Sequence, residues 1–115
     1  MGTKANSNFN FSFKEIQKLV NINYGFTCTL KKLDGEKDFN YRLITKKGET
    51  YYLKIYPKNT DLNFIIFQTK LLNHLSKKTG LKTPKNLLSK SGSNYSVFRD
   101  KKGFIRYFRI NSWIE

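Results

Sequence analysis

The chain has 115 residues, 38% of them hydrophobic and 16% aromatic, with a formal net charge of +14. That apolar content excludes an intrinsically disordered chain despite the charge, and the length suits one domain around one modest core. The single cysteine, Cys28, excludes an internal disulfide and the usual Cys/His metal clusters, and no apolar run approaches the ~20 residues needed to span a bilayer.

In chain order, residues 1–11 read as a flexible tail without the apolar stretch of a signal peptide. Ser12-Phe-Lys-Glu15 is a capping box that opens a helix, with Phe11 and Ile16 at the staple positions. Ile16, Leu19 and Val20 form its apolar stripe, and Gly25 supplies a left-handed stop. A strand from Phe26 to Leu33 follows, then a polar turn over Asp34-Gly-Glu-Lys-Asp38. Phe39 to Thr45 alternates with period two, Lys46-Lys-Gly-Glu49 is a hairpin turn, and Thr50 to Tyr56 is a third strand ended by Pro57.

Asn59 or Thr60 is expected to cap a long second helix, with Asp61 in its first turn. Leu62, Ile65, Ile66, Thr69, Leu72 and Leu75 run along one side of it, and Phe64, Phe67 and Leu71 widen that surface, so the helix should be covered on more than one side. Gly80 stops it, and a loop runs from Thr83-Pro84 to about Ser93. Asn94 to Arg99 and Phe104 to Asn111 then form a second hairpin around Asp100-Lys-Lys-Gly103. This order predicts an α+β fold: a five-stranded antiparallel sheet with an N-terminal helix and one long helix packed on it.

Five stretches carry a resemblance that covers the chain from about Phe13 to Glu115. They are Leu33-Asp-Gly-Glu-Lys-Asp-Phe-Asn-Tyr41, Tyr52-Leu-Lys-Ile55, Phe67-Gln-Thr-Lys-Leu-Leu-Asn-His-Leu75, Gly80-Leu-Lys-Thr-Pro84 and Arg106-Tyr-Phe-Arg-Ile-Asn-Ser-Trp-Ile-Glu115. In this order and spacing they resemble the N-terminal lobe of aminoglycoside phosphotransferase-like small-molecule kinases, in the hydroxylysine kinase and homoserine kinase branch. The resemblance implies a protein-kinase-like N-lobe over residues 12–115 that binds ATP.

It also implies roles for individual residues. Lys54 matches the strand lysine that contacts the α- and β-phosphates, a task that needs a fixed cation in a partly dry cleft. Alternation sets it on the sheet face opposite Leu53 and Ile55; read without its context it is a solvated strand lysine. Gln68 stands where many kinases place a helix glutamate paired with that lysine. Its carbonyl could orient Lys54 without neutralising it, and the plain alternative is a surface glutamine. Gly35 to Asn40 matches the nucleotide-positioning turn, with Asn40 steadying it; an ordinary hairpin turn is the competing reading. Ser112, Trp113 and Ile114 fall at the hinge whose backbone reads the adenine edge. Trp113 either walls that pocket or packs on the sheet edge and a second lobe. His74, the only histidine, reads as structural or exposed.

The family's His-x-Asp-x-x-x-x-Asn catalytic loop and its metal-binding aspartate motif do not occur in these 115 residues. Catalysis is therefore not expected from the chain alone, and Mg²⁺ is expected only through a C-terminal lobe. The expected partners are ATP, a small hydroxylated metabolite, and a second lobe or another chain docking near Trp113, in a cytoplasmic setting without a membrane. Two alternatives stand beside this reading. One is a basic nucleic-acid-binding module; the other is a degenerate, non-catalytic kinase-fold interaction domain. The charge fits either polyanion binding or an AT-rich coding sequence that biases surfaces toward lysine.

Overall fold

The computed structural model describes residues 11–34, 39–78 and 84–113. Helix α1 (Phe13–Tyr24) precedes strands β1 (Cys28–Leu33), β2 (Phe39–Thr45) and β3 (Thr50–Ile55). Helix α2 (Leu62–Lys78) and strands β4 (Ser96–Arg99) and β5 (Ile105–Ser112) follow. The strands form one antiparallel sheet in the order β1-β2-β3-β5-β4. The architecture is the expected α+β plan. Among the described residues no helix is long and apolar enough to cross a membrane.

Helix α1 begins as its sequence dictates. The Glu15 amide donates to Ser12 Oγ at 3.1 Å, and the Ser12 amide donates to Glu15 Oε1 at 3.0 Å. Gly25 closes the helix at φ +84°, where a side chain would be strained, and its N–H reaches Asn21 O and Val20 O. Ile16 and Val20 are buried against the sheet. The core joins them to Phe11, Cys28, Tyr41, Leu43, Leu53, Ile55, Phe108 and Ile110, so it lies between α1 and one face of the sheet. Phe11, placed by the sequence at the end of a tail, is part of this core. Its ring meets Phe39 at 5.0 Å and Phe98 at 5.6 Å, both edge-on.

Several expectations are corrected. β1 starts at Cys28, because Phe26 turns aside to stack on Tyr51 at 5.8 Å. Neither Asn59 nor Thr60 caps α2. Asn59 adopts a left-handed φ of +67°, and the Thr60 hydroxyl bonds back to Pro57 O. Asp61 takes the cap instead, its carboxylate accepting from the Asn63 amide at 2.9 Å. A carboxylate there satisfies an orphan amide and faces the positive end of the helix dipole. Among the described residues nothing covers the outer side of α2. Ile65 and Thr69 are buried, whereas Phe64, Phe67 and Leu71 are 50%, 62% and 43% exposed.

The β4–β5 turn holds a feature that its turn-forming residues concealed. Asp100 accepts from the amides of Lys102 at 3.0 Å and Phe104 at 2.9 Å, and from Arg106 Nε at 2.8 Å. Burial pushes its carboxyl upward. The Arg106 hydrogen bond, the two amides and the guanidinium charge outweigh that and hold it below its ordinary value. Arg106 Cζ lies over the rings of Phe11 (5.2 Å) and Phe39 (5.7 Å), so this ion pair is set into the edge of the aromatic core.

Candidate functional site

With Leu53 and Ile55 committed to the core, period two turns Tyr52 and Lys54 to the opposite face of β3. Register then decides their neighbours. Lys54 stands opposite Asn40 of β2 and Arg109 of β5. One pair along, Tyr52 stands opposite Arg42 and Asn111. These two rows hold three cations and no carboxylate. Like charges on adjacent strands repel, so the face carries a positive field that favours an anion.

Lys54 is half-buried, and its Nζ lies 5.2 Å from the centroid of the Tyr56 ring. Tyr56 is fully buried and organises the site. Its Oη donates to Gln68 Oε1 at 2.6 Å and accepts from Arg109 Nε at 2.8 Å. Arg109, also buried, donates a second bond to Asn111 Oδ1. This chain ties β5 to the end of β3 and to α2. Gln68 and Lys54 are thus linked through the phenol ring: one bonds its hydroxyl, the other lies over its face. On the far side of Lys54, Asn40 Oδ1 accepts from Tyr52 Oη at 2.6 Å, which holds the Tyr52 ring across the sheet.

Tyr52, Leu72, Pro84, Arg109, Asn111 and Ser112 line a cleft of about 250 Å³. It lies beside the Lys54 row and is shared by the sheet, α2 and the end of β5. Ser112 is engaged from outside the sheet: its amide donates to Lys85 O at 2.9 Å and its Oγ accepts from the Lys85 amide at 2.8 Å. Trp113 folds back so that Arg42 Cζ lies 5.0 Å from its ring centroid. Gly35 and Ile114 lie outside the described residues.

The structure therefore brings Lys54, Asn40 and Gln68 onto one face, with Ser112 and Trp113 at its end. Tyr56, Arg109 and Asn111 belong with them and escaped the sequence reading. Two-residue spacing from Lys54 was an available signal for Tyr56. Arg109 and Asn111 had none, because only the placement of β5 beside β3 makes them neighbours of Lys54 and Tyr52.

The fold is that of a kinase-like N-terminal lobe. A solved structure of the amicoumacin kinase hAmiN, in complex with AMP-PNP, Ca²⁺ and Ami, matches this chain with a TM-score of 0.74 at 20% sequence identity. The match covers 99% of this chain and 34% of that kinase, so the chain spans about a third of its length. No model of a known protein family matches the sequence. No curated protein matches it either.

Proposed function

We propose that this chain is the ATP-binding lobe of a phosphotransferase that moves the γ-phosphate of ATP to a hydroxyl of a small amino-bearing metabolite or aminoglycoside-like acceptor. The observation that carries the reading is the position of Lys54. It is a half-buried cation between Asn40 and Arg109, beside a cleft shared with α2 and the C-terminal end of β5. Lys54 grips the inner phosphates there. Arg109 adds to the field from behind, and its two neutral partners leave its charge uncancelled. Tyr56 and Gln68 hold the geometry in advance, which lowers the ordering cost of binding. With the Ser112 amide committed to Lys85, the base-edge hydrogen bonds of this reading fall to the backbone of Trp113.

The similar kinase was solved with AMP-PNP and Ca²⁺, which supports a nucleotide and a divalent ion as ligands of this fold. Among the described residues no three His, Cys, Asp or Glu side chains cluster to hold a metal. In this reading the Mg²⁺ ion and the base that orients the acceptor hydroxyl belong to a second lobe. In this reading residues 12–115 bind nucleotide but do not transfer phosphate alone.

Titration calorimetry of the 115-residue chain with ATP tests the claim. Lys54→Ala should weaken binding about tenfold to a hundredfold, the value of a charge-assisted phosphate contact, at unchanged melting temperature. Equal affinity in the variant would remove Lys54 from the site.

A further inference from the structure

Arg42 and Trp113 make a contact that the phosphate site does not use. Arg42 Cζ lies 5.0 Å from the indole centroid. Its Nε is buried and has no hydrogen-bond partner among the described residues. A half-exposed arginine ordinarily keeps its N–H groups in water, and withdrawing one without a partner costs free energy. Something on this face must favour the arrangement, and the stack on the indole is what the structure shows.

Position gives the contact meaning. Arg42 shares a row with Tyr52 and Asn111, next to the row of Lys54. Two residues of strand separate the rows, about 7 Å. In a nucleotide a ribose separates the α-phosphate from the base. Phosphates at Lys54 therefore bring the base about one row away. The Tyr56 end of the face is filled by the Tyr56–Gln68–Arg109 bonds beneath α2, whereas the Tyr52 end borders the cleft. Within that row Arg42 is the member that already carries a flat ring, the indole. An indole is a flat bicyclic ring of nearly purine size, and a guanidinium stacks on either.

We propose that Arg42 is a base-binding residue and that Trp113 holds the base's place on it until nucleotide arrives. The proposal rests on reading this face as a nucleotide site. Binding exchanges one guanidinium–ring stack for another and releases the indole toward water.

Trp113 is the only tryptophan in the chain, so its emission reports the exchange directly. ATP and adenosine should shift that emission to the red, and inorganic tripolyphosphate, which lacks a base, should not. Arg42→Lys keeps the charge and loses the plane. It should weaken ATP about three- to thirtyfold by calorimetry and leave tripolyphosphate affinity unchanged. Trp113→Ala removes the competitor and should tighten ATP. ATP heat with unmoved emission, an Arg42→Lys variant that binds ATP like the parent, or weaker binding by Trp113→Ala would each overturn the proposal while leaving the phosphate site standing. Absence of ATP heat from the unsubstituted chain would overturn the nucleotide reading and this proposal together.

Discussion

Asp100 shows how much one turn residue can decide. It sits in a loop of lysines and glycine, yet its carboxylate holds two amides and the buried Arg106, whose guanidinium lies over Phe11 and Phe39. Removing one member of a buried pair leaves the other charge unanswered, at a cost of about 3–5 kcal/mol. Asp100→Asn should lower the unfolding free energy by that amount in urea titrations; a loss below about 1 kcal/mol would show that the pair contributes little. The pH dependence follows from the direction of the shift. The folded carboxyl binds its proton less readily than the unfolded one, so its contribution is complete above the ordinary value of 3.8. It disappears as pH falls through the folded value. The acid limb of the stability curve should therefore flatten in Asp100→Asn.

At the scale of elements, α2 divides into two unlike sides. Ile65 and Thr69 are buried, Leu72 lines the cleft, and Gln68 anchors the helix to Tyr56. Phe64, Phe67 and Leu71, at i, i+3 and i+7, form a second apolar stripe that the described residues leave exposed. Ile65→Ala should cost about 2–5 kcal/mol through a cavity. Phe67→Ser should change stability by no more than about 0.5 kcal/mol, because the ring gains little from folding. Thermal unfolding of the two variants separates the sides, and a large loss in Phe67→Ser would mean that the outer stripe is packed in solution. Both stripes were visible as hydrophobic periodicity. Which one is buried was not, because periodicity records that a face is apolar and not what lies against it.

For the molecule as a whole, the net charge of +14 is the dominant long-range term. Self-repulsion opposes the compact state, and salt screens it with a Debye length of about 10 Å at 0.1 M. The melting temperature should rise by a few degrees between low and moderate salt, and a fall would indicate that attractive ion pairs prevail. The same charge would serve a nucleic-acid ligand. A salt titration of RNA binding distinguishes the two uses: tight affinity with a steep slope belongs to a polyanion surface, and a shallow one to a surface that is merely basic.

The local elements were readable from the amino acids. The Ser12–Glu15 box, the Gly25 stop, the period-two strands and the sheet face of Lys54 all depend on neighbours within a few residues, and there propensity and alternation suffice. The resemblance of separate stretches to a kinase lobe was readable as well, and the fold agrees with it. What joins the site was settled elsewhere. Arg109 meets Tyr56, Asn111 meets Tyr52, and Trp113 meets Arg42 only because β5 enters the sheet between β3 and β4. Such pairings depend on strand order across more than fifty residues of chain, which no local pattern encodes, so the cationic face and its aromatic cover exist only once the sheet has formed.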